Sequence, residues 1–140
     1  MKHGSLILEK KEYVYIKSLL NVSEHSEGHQ VQKSLIKFAE ELKTAIILDE
    51  EEMLDDVVRL NSTVTVASGN VWEKTIQIVK PTEKDLKNDK VSILTPIGIA
   101  LFGYALNDVV HWEFPGGNKE VKILKVTQEV VGSENLNSLI

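Results

Sequence analysis

The sequence predicts an α+β protein in which a short N-terminal antiparallel helical hairpin precedes an antiparallel sheet carrying one short helix. Three observations carry that reading. Apolar residues recur at helical spacing as far as Leu42 and alternate with period two after Asn61. Thr95-Pro96, with Gly103 beyond it, has the form of an N-cap, a proline at the first helical position and a glycine stop. Pro115-Gly-Gly-Asn118 is a tight-turn signal between two strand-like runs.

In the N-terminal part, Tyr13, Ile16 and Leu20 fall on one helical stripe of residues 9–20. Residues 21–28 are small and polar and read as a loop. Val31, Leu35, Phe38 and Leu42 then follow at the alternating spacing of a coiled-coil seam. Two amphipathic helices joined by a short loop fold back as a hairpin. Helices of about 12–16 residues span only roughly 18–24 Å, so the hairpin needs support from elsewhere. The apolar run Ala45-Ile-Ile-Leu48 at its base is the expected packing element. Residues 46–60 read as a connector, and the acids Asp49 to Glu52 as its solvated face.

The strands expected next are Val64 and Val66 alternating with Thr63 and Thr65, then residues 75–79, 91–94, 109–114 and 119–127. Val110, Trp112 and Phe114 would share one face. Residues 81–90 form a charged loop. In the short helix, Ile97, Ala100 and Leu101 would face the sheet. The expected organisation is therefore a hairpin over 1–48, an acidic linker over 49–60, a C-terminal domain over 61–130 and a tail over 131–140.

Composition excludes several function classes. The 140 residues include no cysteine, which removes disulfide scaffolds, cysteine nucleophiles and thiolate metal sites. Residues 1–58 hold 12 acids against 7 lysines, and the rest of the chain balances 9 acids with 9 bases, so the net charge of −5 belongs to the N-terminal part. Arg59 is the sole arginine. A negative chain with one guanidinium is poorly suited to reading DNA, so sequence-specific DNA binding is not expected. The opening residues lack a secretory or membrane-spanning apolar run, and the chain is read as cytoplasmic, with no membrane association.

Val91-Ser-Ile-Leu-Thr-Pro-Ile-Gly-Ile-Ala-Leu-Phe-Gly103 resembles the Ser-Pro-Ile-x-x-Ala-Leu-x-Gly motif of the GreA/GreB transcript-cleavage factors. The later Asn107-Asp-Val-Val-His-Trp-Glu-Phe-Pro-Gly-Gly117 and Val121-Lys-Ile-Leu-Lys-Val126 follow the order of that family, as does the entry Asp56-Val-Val-Arg-Leu-Asn-Ser-Thr-Val64. The resemblance covers roughly residues 55–128. The His-Trp-Glu-Phe-Pro-Gly-Gly form and the short hairpin are most similar to the Rnk branch, the regulators of nucleoside diphosphate kinase. The resemblance implies an FKBP-like C-terminal domain behind an antiparallel coiled coil, and binding to bacterial RNA polymerase at the mouth of its secondary channel. It places the docking contact at Leu94, Thr95, Pro96 and Ile97. Thr95 stands where the cleavage factors have serine, and Leu94 where they often have an acid.

The cleavage factors carry paired acids at the tip of a long coiled coil, where they help hold a magnesium ion. Glu24 and Glu27 have the same spacing of three, and two carboxylates suit magnesium. A hairpin of roughly 20 Å would stop short of a catalytic centre that a long coil only just reaches. The two glutamates are therefore read as solvated loop acids. His25 and His29 lack the His-Glu-x-x-His order and a third ligand, so no metal site is expected. His111, beside Trp112 on a strand, reads as a packing or polar-face residue. Aromatic residues are 6% of the chain, too few to line a prolyl-isomerase pocket readily. The expected function is that of a non-catalytic transcription regulator, without cofactor, that binds RNA polymerase and competes with longer channel-binding factors. The alternatives are a transcript-cleavage factor using the tip acids and, third, a peptidyl-prolyl isomerase.

Overall fold

The computed structural model describes residues 2–23, 29–69, 72–114 and 117–128. The chain begins with a short strand β1 (Ile7–Glu9), then helices α1 (Lys10–Ser23) and α2 (His29–Leu42), and a second short strand β2 (Ile46–Leu48). The C-terminal part contains β3 (Thr63–Ser68), β4 (Trp72–Val79), β5 (Lys90–Ser92), α3 (Pro96–Leu101), β6 (Val109–Phe114) and β7 (Gly117–Thr127).

Five strands form one mixed sheet in the order β5-β4-β3-β7-β6. The expected all-antiparallel sheet is corrected at one edge, where β4 and β5 run parallel with Ile78 opposite Val91. Period-two alternation sets which side chains point inward and carries no information on strand direction. Residues 80–89 supply the crossover that a parallel neighbour needs, and they contain two short 3₁₀ turns, Pro81–Glu83 and Leu86–Asn88. The antiparallel registers place Val64 opposite Ile76 and Val126, and Val110 opposite Val121. One β-bulge lies between Thr65 and Val66 where β3 meets β7. Val64, Val66, Ile76, Ile78, Val121 and Ile123 form the buried face, over which α3 packs with Ile99 and Leu101.

The N-terminal helices share this core. Ile16, Leu35, Phe38 and Leu42 of the expected seam are buried, and they join the same cluster as the sheet residues. The rings of Phe38 and Phe102 meet edge to face at 6.1 Å. Leu19 and Leu20 of α1, Leu35 of α2, and Ile93 and Leu94 beyond β5 line one small apolar gap. The two N-terminal helices thus pack on the C-terminal part. The side chain of Val31, and those of Trp112 and Phe114, lie outside the described residues.

The run after α2 meets the expectation in part, since Ala45 and Leu48 pack against buried residues. Ile46 to Leu48 pairs in parallel with β1, Ile7 opposite Ile46, while Ile46 and Ile47 stay exposed. Leu6, Ile7, Leu8 and Glu9 are all buried, so β1 rather than β2 enters the core. The Gly103 carbonyl accepts from Ile7 N–H at 3.2 Å, and Gly103 N–H donates to the Val58 carbonyl at 3.0 Å. Gly103 adopts φ +84°, and a Cβ there would lie 3.2 Å from the Leu6 side chain, so only glycine fits comfortably. Val57 and Val58, within the segment read as linker, are fully buried.

Candidate docking loop and adjoining groove

The stretch from Ser92 to Gly98 is built by its own hydrogen bonds. β5 ends at Ser92, whose hydroxyl accepts from Leu94 N–H at 3.0 Å. The Ser92 carbonyl accepts from Thr95 N–H at 3.0 Å and from the Thr95 hydroxyl at 2.7 Å. Thr95 caps α3, its hydroxyl oxygen accepting from Gly98 N–H at 3.1 Å, and Pro96 occupies the first turn. Ile93 is buried beneath the turn, and Leu94, Thr95, Pro96 and Ile97 are half-buried. Leu94 and Ile97 pack in part on the core. Gly98 is required by proximity, since a Cβ there would sit 2.5 Å from the Ser92 carbonyl oxygen. The loop is therefore a rigid, self-bonded corner that presents Thr95 and Pro96 at the surface.

Beside this corner runs a groove of about 290 Å³ between α2, α3 and β6. Phe38, Ile99, Ala100 and Val110 form its apolar floor, Lys33 and Lys37 stand along the α2 wall, and Pro96 lies at its edge. His111 of β6 lines the groove as well. Glu41 also lines the groove, and its carboxylate accepts from the Tyr104 hydroxyl at 2.7 Å. Burial and the neighbouring Glu41 carboxylate push the Tyr104 hydroxyl well above the ordinary range for tyrosine, so it stays a proton donor.

A second polar cluster holds the two halves together. Arg59 Nη2 donates to Glu12 Oε2 of α1 at 2.8 Å, and Nη1 and Nη2 grip both Glu50 oxygens at 2.7 and 2.8 Å. The other Glu12 oxygen accepts from Leu60 N–H at 3.3 Å. Burial raises the Glu12 carboxyl above its ordinary value of 4.5, and the Arg59 guanidinium offsets only part of that rise. Hydrogen bonding to Arg59 holds the Glu50 carboxyl below its ordinary value. The acidic face read as fully solvated therefore has one member, Glu50, engaged in this clasp. The cluster escaped sequence reading because Glu12, Glu50 and Arg59 show no common spacing.

Residues 53–128, which contain the corner, α3 and every strand of the mixed sheet, match the family described as "Transcription elongation factor, GreA/GreB, C-term". The chain belongs to the GreA/GreB family. It is 37% identical over 98 residues to the regulator of nucleoside diphosphate kinase of Escherichia coli, covering 66% of this chain and 71% of that protein. It is 36% identical over 106 residues to the transcription elongation factor GreA of Alkaliphilus oremlandii, covering 74% of this chain and 65% of that one. The structure of a GreA/GreB elongation factor from Nitrosomonas europaea superimposes with a TM-score of 0.70 at 30% identity, covering 88% of this chain and 98% of that one.

Within this GreA/GreB fold the sequence-predicted site residues separate. Leu94, Thr95, Pro96 and Ile97 lie together on the corner. Glu24, His25 and Glu27 lie outside the described residues, as does the side chain of His29. Among the described residues no three His, Asp or Glu side chains are grouped to hold a metal ion. No helix among them is long and apolar enough to cross a membrane. The groove was missed because its walls come from residues as distant in sequence as Lys33 and His111.

Proposed function

We propose that this chain is a non-catalytic transcription regulator that docks on bacterial RNA polymerase at the mouth of the secondary channel and competes there with longer channel-binding factors. The C-terminal domain supplies the main contact through Leu94, Thr95, Pro96 and Ile97. The observation that carries this reading is the family match across residues 53–128 together with the shortness of α1 and α2, 14 residues each. Helices of that length extend only about 21 Å, in keeping with a short factor of the kind proposed, whose FKBP-like domain would follow a truncated antiparallel coiled coil. The similarity to a regulator of nucleoside diphosphate kinase agrees with a role other than cleavage.

Comparable identity to a GreA elongation factor favours a second reading, in which Glu24 and Glu27 assist transcript cleavage. Prolyl isomerisation has less support, because the described groove lies between two helices and a sheet edge, with a floor that is mainly aliphatic.

The test is direct. Core RNA polymerase should retain the purified protein, and Pro96→Glu should weaken retention while leaving the circular dichroism spectrum unchanged. Added to stalled elongation complexes, the protein should release no short RNA above background and should inhibit cleavage by a long-coil factor. Unchanged affinity of folded Pro96→Glu would remove the corner from the contact. Robust cleavage lost in Glu24→Ala or Glu27→Ala would establish the second reading.

A further inference from the structure

We propose that the groove beside the corner is a second contact, which receives an acidic, apolar segment of the polymerase; the partner's identity rests on the preceding reading, and its chemistry on the groove. The two lysines decide the charge. Lys33 and Lys37 are exposed one helical turn apart on α2, roughly 6 Å between them. Among the described residues neither is paired with a carboxylate. This cationic wall stands on a chain of net charge −5. Glu41 also lines the groove, with its carboxylate on the Tyr104 hydroxyl, and the two lysines outnumber it.

The floor decides the rest. Phe38, Ile99, Ala100 and Val110 offer an apolar surface. A carboxylate held between Lys33 and Lys37 leaves a neighbouring apolar side chain free to enter the groove. A polyphosphate, which has no apolar part, would leave that floor uncovered. Because Pro96 belongs both to the corner and to the groove edge, one continuous partner segment reaches both.

Two measurements test the assignment. In the first, core polymerase affinity is measured for the wild type, for Lys33→Glu/Lys37→Glu, and for Lys122→Glu/Lys125→Glu. The last pair makes the same charge change on exposed lysines of β7. The α2 pair should weaken binding at least tenfold near 0.1 M salt and flatten its salt dependence, while the β7 pair changes little. Equal affinity of the α2 pair, or equal weakening by both pairs, overturns the groove contact.

In the second, the ¹⁵N-labelled protein is titrated with a ten-residue alternating glutamate–leucine peptide, with its lysine–leucine counterpart and with inorganic pyrophosphate. The acidic peptide alone should shift the amides of Ala100, Val110 and His111. Shifts from pyrophosphate without shifts from the acidic peptide would make the groove a polyanion site and overturn the proposal. If the wild type fails to bind polymerase while the acidic peptide still shifts those amides, the polymerase reading falls and the groove's preference for an acidic, apolar segment stands.

Discussion

Replacing Arg59 with methionine should destabilise the protein by about 3 kcal/mol at neutral pH, and the loss should shrink on acidification. Methionine keeps an apolar stem while removing every donor of the guanidinium. Arg59 and Glu12 are only 16% and 15% exposed, whereas Glu50 is 66% exposed. Breaking a buried pair from one side costs about 3–5 kcal/mol, and an exposed pair is worth about 0–1. The Glu12 contact therefore carries most of the effect, and its residual exposure puts the figure near the lower bound. For a domain of this size the melting temperature should fall by about 10 °C.

The pH dependence has a defined sign. Burial raises the Glu12 carboxyl, so the folded state binds its proton more readily than the unfolded chain. Glu12's contribution is then most favourable below its ordinary value of 4.5, and it declines as pH rises through the raised folded value. Without Arg59 that folded value rises further, and the variant escapes its buried, unpaired charge by protonation. The favourable Glu50 contribution, present above its ordinary value, is lost in the wild type as pH falls through its lowered folded value. Both effects narrow the gap between wild type and variant in acid. Urea unfolding at neutral pH and near pH 4, with Glu12→Gln in both backgrounds, measures the coupling. Glu12→Gln should destabilise the wild type and partly rescue Arg59→Met. A loss below about 1 kcal/mol at neutral pH, or one independent of pH, would refute the argument that Glu12 depends on Arg59.

Gly98→Ala should destabilise by about 1–3 kcal/mol, because the new methyl would sit 2.5 Å from the Ser92 carbonyl oxygen and α3 must shift; an unchanged denaturation midpoint would show that the helix moves freely over the corner. A fragment of residues 1–48 should be largely unfolded by circular dichroism, because Ile16, Leu35, Phe38 and Leu42 bury themselves in a core shared with the C-terminal part. A helical, monomeric fragment would show that the hairpin stabilises itself.

The readable elements are those with a local signature. The alternation of Val64 and Val66 with threonines marked β3 because one of its faces is buried and the other is not. The Thr95 cap and Pro96 located α3 to within a residue, because capping is a contact between residues three apart. β1 had no comparable signature. It is three residues long and buried throughout, so it shows no alternation, and its partner β2 lies beyond both helices. The parallel edge at β5 was hidden for a related reason, since direction depends on the path of the crossover.

The candidate site divides along the same line. The sequence by itself determined the corner from Leu94 to Ile97, since its residues are contiguous and their hydrogen bonds span at most a few positions. It also determined the change from helical to strand period, the net negative charge and the shortness of the two N-terminal helices. Only the tertiary structure decided that Lys33, Lys37 and His111 would face one groove, and that Arg59 would clasp Glu12 and Glu50. Those groupings depend on how α2 seats on α3 through Phe38 and Phe102, and on how β1 and the connector meet at Gly103. Each is a packing outcome among residues far apart in the chain, for which periodicity and local propensity have no term.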